Sequence, residues 1–179
     1  MENKTYEIYY GWKIPFISLD CVILGALAIA SAIIKQWAGF QEILIGICGV
    51  VFILAALAVL IYYFYSRISK MPVLIIGDDR VKMHAPLKGG YSDVEFEDVD
   101  DFELFSLNGN KMIAIKYNPA GYRKLMDKSN GANQALVKFN TNKIGAAGNL
   151  NASNLTMTST DICELLKERL NNYQKLHNA

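Results

Sequence analysis

Cysteine, histidine and proline are scarce in this chain, and charges of the two signs nearly cancel. Three cysteines among 179 residues, with no Cys-x-x-Cys spacing, exclude a disulfide scaffold and a zinc ribbon. His84 and His177 are the only histidines, too few and too far apart in sequence to build a metal centre with those cysteines. A net charge of +1 without a long basic run excludes a dedicated nucleic-acid binder, which needs a positive footprint for phosphates. The nucleophile elbow Gly-x-Ser-x-Gly, the P-loop and the dinucleotide fingerprint are all missing. No convergent acid, base and nucleophile stand out, so the reading is non-enzymatic, with no cofactor and no catalytic residue.

Apolar sequence is abundant, and it is unevenly placed. Hydrophobic residues make up 52% of the chain, and they crowd into the first 65 positions, whereas nearly all the acidic residues follow Ile76. Two runs, residues 14–34 and 43–65, each reach the roughly 20 residues with which an α-helix crosses a ~30 Å hydrocarbon core. Neither has the polar stripe of a soluble amphipathic helix. Only Lys35 to Glu42 separates them, which is room for a tight loop. Residues 1–70 therefore read as a transmembrane α-hairpin.

Aromatic residues border these runs: Tyr6, Tyr9, Tyr10 and Trp12 before the first, Trp37 and Phe40 between them, and Tyr62, Tyr63 and Tyr65 at the end of the second. Their apolar rings and polar tips suit the headgroup layer. Lys4 and Lys13 precede the first run, Lys35 alone lies between the two, and Arg67, Lys70, Arg80 and Lys82 follow. By the positive-inside rule both termini are cytoplasmic. A cleaved signal peptide is the rival for the first run, since Ala28-Ile29-Ala30 and Ala30-Ser31-Ala32 look like cleavage sites. Glu2, Glu7 and the length of the run argue against it.

Asp20 is the one group within the spans that invites a functional role, because a carboxylate at bilayer depth costs roughly 2.5–3.5 kcal/mol at the centre on insertion scales. Neither span offers it a Lys, Arg or His as a relay partner, so a position near the inner end of the span, reaching water, is the simpler reading. The pairs Ala26/Ala30, Ala28/Ala32 and Gly46/Gly49 have the spacing for close helix packing.

Residues 71–179 read as a soluble α+β domain. Strands are expected at 73–76, 81–85, 91–99, 102–107, 111–117, 135–139 and 150–157, with turns at Gly77–Arg80, Lys88–Gly90 and Asn108-Gly109. Tyr122 to Lys128 is a short helix or an irregular excursion. Thr158 to Asp161 has capping-box spacing, and Ile162, Leu165, Leu166, Leu170 and Tyr173 form the apolar stripe of a final helix. The acidic stretch from Asp93 to Glu103 alternates with Val94, Phe96, Val99 and Phe102, as a solvated sheet face does. Cys163, in the first turn of the last helix, invites a lowered pKa but has no general base beside it in sequence.

In that order of elements the chain resembles bacterial membrane proteins that carry an N-terminal two-helix hairpin and a cytoplasmic pleckstrin-homology-like (PH-like) domain. The matching features are the strand Pro72 to Ile76, the turn Asp78-Asp79-Arg80, the segment Val94-Glu95-Phe96-Glu97-Asp98-Val99, and the strand Leu150 to Met157 running into the helix from Ser159. Many such proteins have Trp where this chain has Phe96. The resemblance implies an antiparallel β-sandwich or barrel closed by a C-terminal helix, in a multi-pass protein of the bacterial cytoplasmic membrane. It carries no catalytic residues, and the acidic Gly77–Arg80 turn does not suit a phosphoinositide. Its implied role is an anchored interaction module or scaffold in the lipid bilayer, with a protein partner. The alternative is a small homo-oligomeric transport or channel component using the hairpin and Asp20.

Overall fold

The computed structural model describes residues 5–35, 39–85, 89–107 and 109–177, with the side chains of Ala132 and Lys143 excepted. Lys4, Trp37, Lys88 and Asn108, used above as flank, interface and turn markers, lie outside the described residues. The chain forms two compact units, one of residues 10–71 and one that joins the segment up to Tyr9 with residues 72–179.

The first unit is a pair of helices, α1 (Lys13–Ile34) and α2 (Phe40–Ile68). Both are long and apolar enough to cross a membrane. Pro15 falls in the first turn of α1, where no intrahelical N–H is lost. Glu42 and Arg67 lie in the first and last turns of α2, where each charge complements the helix dipole. The helices meet along positions seven apart, Ser18, Gly25 and Ala32 against Gly49, Ala56 and the larger Tyr63, with Gly46 and Ser66 also buried. At the centre the backbones touch. A Cβ added to Gly25 would lie 2.7 Å from the Gly49 carbonyl oxygen, and one added to Gly49 would lie 2.7 Å from that of Gly25. Ala26 and Ala30, expected at this seam, are exposed instead, because Gly25 and Ala32 hold the inward phase of α1. Most of the large apolar side chains elsewhere on both helices are exposed. Beyond α2, Lys70 adopts φ +47° and Met71 N–H donates to the Ser66 carbonyl at 3.0 Å, a Schellman close with lysine where glycine is usual.

The second unit is α+β. Its first strand, β1 (Tyr6–Ile8), precedes the hairpin in sequence, although residues 1–70 read as hairpin throughout. It pairs antiparallel with β2 (Leu74–Ile76), Ile8 opposite Leu74, and the four-stranded sheet continues through β3 (Arg80–Ala85) to β4 (Gly90–Glu95). A single 3-10 turn, Phe96–Asp98, interrupts what the sequence suggested was one strand over 91–99. A three-stranded sheet follows from β5 (Val99–Leu107), β6 (Asn110–Tyr117) and β7 (Gly148–Asn151). These are two separate antiparallel sheets, not a closed barrel.

Between β6 and β7 lie α3 (Pro119–Lys128) and α4 (Gly131–Ile144). The strand expected at 135–139 is thus part of a helix, and regular pairing at 150–157 stops at Asn151. The local signals explain the helix. Asn130 caps it by accepting from Asn133 N–H, and Gly145 closes it at φ +67°. The last helix, α5 (Ser159–His177), starts where expected, with Thr158 Oγ1 accepting from Asp161 N–H at 3.2 Å. One core unites both sheets and α5, through Ile8, Leu74, Ile76, Phe96, Phe102, Ile113, Ile162 and Leu166 among others.

Candidate functional site

In the α+β unit the 3-10 turn packs closely against the start of α3. Asn118 caps α3, its Oδ1 accepting from Gly121 N–H at 2.8 Å. Its Nδ2 donates to the Glu97 carbonyl at 2.7 Å and its backbone N–H to the Asp98 carbonyl at 3.0 Å. The approach is so close that a Cβ on Gly121 would stand 2.6 Å from the Cβ of Asp98. Lys124 is thereby aimed at the turn, its Nζ 2.7 Å from Glu97 Oε1 and 2.9 Å from Asp98 Oδ1. Hydrogen bonding from Lys124 holds the Glu97 carboxyl below its ordinary value and raises the lysine in return. Carboxylate oxygens of Glu95, Glu97 and Asp98 lie within 4.8 Å of one another, near enough to share a divalent ion. The Lys124 ammonium already supplies a positive charge to two of the three.

A cleft of about 300 Å³ opens beside the end of α5, bounded by Phe96, Val99, Tyr173 and His177, with Glu97 and Asp100 at its acidic rim. Aromatic rings lead to it from the core. Phe96 meets Phe102 edge to face at 6.2 Å, Tyr173 meets Phe96 at 6.1 Å, and His177 stacks on Tyr173 at 4.1 Å. The accessible lining is mostly polar, with Phe96 and Val99 buried beneath it and carboxylates at its rim, and it suits a segment bearing a cation.

A second cleft, of about 550 Å³, lies at the β2–β3 turn and is lined by Thr5, Ile75, Gly77, Asp78, Asp79, Arg80 and Lys82. Arg80 is held by Asp79 at 2.7 Å and lies 3.6 Å from Asp93, while Asp78 pairs with Arg169. Hydrogen bonding from Arg80 keeps the Asp79 carboxyl below its ordinary value. The arginine that would serve a phosphate is already bound to carboxylates.

The acidic stretch is more organised than a plain solvated face. Its carboxylates pair with cations on other elements, Glu103 with Lys116 and Asp101 with Lys167 besides those above. These pairs are exposed and individually stabilise little. Asp20 is exposed on α1, without an ion pair or hydrogen bond among the described residues, and is brought together with no other ionisable group there. Cys163 departs from expectation. Its buried thiol donates to the Phe102 carbonyl at 3.8 Å, and desolvation raises its pKa although it stands near a helix N-terminus. His84 lies edge-on to Tyr91 at 5.3 Å, away from the cysteines in sequence and role.

The α5 cleft lies beside the final helix. Its acidic rim and the Lys124 clamp were not readable, since they depend on a turn and a helix cap meeting across the unit. No protein-family model, curated protein or solved structure matches the chain.

Proposed function

We propose that this chain is a membrane-anchored, non-enzymatic interaction module of PH-like type, which holds a protein partner at the bacterial cytoplasmic membrane with both termini in the cytoplasm. The observation that carries the reading is the pairing of four antiparallel strands with three, closed by α5 over one core, with a membrane-length hairpin between the first and second strands. Lys13, Arg67 and Lys70 at the open end of the hairpin, against Lys35 at its turn, support the orientation. The α5 cleft is the docking place, and a partner segment would set an Arg or Lys against Asp100 beside the half-buried Tyr173.

A photocrosslinking residue in place of Gln174, in full-length protein in membranes of the native host, tests this. A defined heterologous product is expected from Gln174, abolished by Asp100→Lys and absent when the probe stands at the exposed Ser92. Self-products alone, or the same products from both positions, would overturn the reading.

One observation favours a second reading, an oligomeric transport or channel component. Asp20 stands exposed on an otherwise apolar face of α1, where a carboxylate is costly in lipid unless another copy or water receives it. On this reading Asp20→Asn changes ion flux through proteoliposomes. Flux equal to that of protein-free vesicles for both proteins would remove it.

A further inference from the structure

Charge is divided unevenly between the two ends of the helix pair. At the turn end Lys35 and Glu42 offset each other. At the other end, where the chain enters α1 and leaves α2, stand Lys13, Arg67 and Lys70. Within residues 10–71 the nearest carboxylate to them along the chain is Asp20, ~10 Å further along α1 than Lys13. Among the described residues none of the three cations has a carboxylate within ion-pair distance. Lys13 and Lys70 are exposed, and Lys70 is held in place, its N–H donating to the Arg67 carbonyl at 3.3 Å.

Arg67 differs from a merely flanking charge in what holds it. Its guanidinium carbon lies 5.9 Å from the centre of the Trp12 ring, so the last turn of α2 meets the start of α1 through a cation and an indole. Tyr10 meets Tyr62 edge to face at 6.1 Å and joins the same two chain segments a second time. Arg67 is half-buried, yet its N–H groups have no acceptor among the described residues. A partly desolvated guanidinium in that condition calls for an acceptor from outside the chain. Its planar fork matches two oxygens of a phosphate, and Trp12, 67% exposed, is of the residue type that settles at headgroup level.

We propose that this end of the helix pair is a binding site for the phosphodiester of an anionic lipid, with Arg67 on Trp12 as its forked donor and Lys13 and Lys70 adding charge. Three cations without a counter-ion select a headgroup that has no ammonium of its own. The inference rests on the reading that the hairpin spans the bilayer, which sets Trp12 among lipid phosphates. It also goes beyond orientation. Any positive charge satisfies the positive-inside rule, but only a guanidinium offers two parallel N–H groups.

The test uses the full-length chain with Trp37→Phe, which leaves Trp12 as the only tryptophan. It is reconstituted into phosphatidylcholine vesicles containing phosphatidylglycerol or phosphatidylcholine spin-labelled high on the acyl chain, and quenching of Trp12 fluorescence reports which lipid sits beside it. At low salt the labelled phosphatidylglycerol should quench more strongly. Lys13→Gln or Lys70→Gln should each lower the relative association constant about fivefold. Arg67→Lys should lower it too, because the charge is kept and the fork is lost, whereas Lys35→Gln at the turn end should leave it unchanged. Equal quenching by the two labels overturns the site and keeps the anchor, and quenching by neither would remove the anchor itself. An Arg67→Lys protein with undiminished preference overturns the site, since charge alone would then account for it. So does an equal loss from Lys35→Gln. Replacing chloride with inorganic phosphate at the same ionic strength should change nothing, and loss of the preference there would make a soluble anion, not lipid, the occupant and overturn the proposal.

Discussion

Lys124 shows how one side chain can change what an acidic cluster does. Its ammonium lies between Glu97 and Asp98, so the Glu97 carboxyl titrates below its ordinary value of 4.5. A depressed carboxyl stabilises the fold above its unfolded value, and that contribution is lost as pH falls through the lower folded value. Lys124→Met should therefore return the Glu97 titration toward 4.5, read by carboxyl-carbon NMR in detergent, and should flatten the part of the acid-side stability profile just below that pH. An unchanged Glu97 titration would mean that Lys124 is solvated and the pair carries no coupling. Cys163 gives the converse lesson about position in sequence. The sequence suggests a first-turn position and a lowered pKa, but Cys163 is the fifth residue of α5, and the burial that only the fold shows has the opposite effect. Peptide mapping after iodoacetamide treatment at neutral pH should find Cys163 unmodified in the folded protein and modified once denaturant is added. Rapid labelling of the native state would contradict the buried geometry.

At the scale of elements, what could be read in advance depended on whether a signal was local. β3, β6 and α5 were legible because each has its own period and its own turn or cap within a few residues. Residues 135–139 misled because a short apolar run fits a strand as well as a helix, and the decisive Asn130 cap and Gly145 close lie outside the run. Pairing of β1 could not be read at all, since three residues before a hairpin give no hint of a partner beyond it. The Gly121 contact belongs to the same non-local class. Glycine there looks like a helix weakness, costing ~1 kcal/mol against alanine in an ordinary helix interior. Here the backbone of Asp98 fills the space a Cβ would need. Gly121→Ala should accordingly destabilise the soluble unit, by about 1–3 kcal/mol in denaturant titrations, instead of strengthening α3. A stabilised variant would show that the 3-10 turn can move aside freely.

For the whole molecule the consequential feature is that the chain leaves the α+β unit after Tyr9 and re-enters it at Pro72. The exit and the re-entry are neighbours. Ile8 pairs with Leu74, and Val73 N–H donates to the Ile8 carbonyl at 2.8 Å. Tyr9 is also bound to the segment before α5, its carbonyl accepting from Thr156 N–H at 2.9 Å. The hairpin is thus an insertion into the connection between two adjacent antiparallel strands, a place where a short turn would ordinarily stand. A fragment of residues 72–179 should behave badly for a definite reason. Removing β1 strips Ile8 from the core and leaves β2 as a bare apolar edge, with Leu74 and Ile76 no longer covered. A chain in which residues 5–9 are joined to residue 72 by a short Asn-Gly turn should instead be monomeric and cooperatively folded in plain buffer. Light scattering and thermal unfolding of the two proteins compare them directly. If both are equally soluble and equally stable, β1 contributes nothing to the fold and the soluble unit is complete without it. If only the joined chain folds, the strand before the membrane hairpin and those after it make up one module. The chain then enters and leaves that module through one pair of neighbouring strands, β1 and β2, whose pairing is what the joined chain preserves.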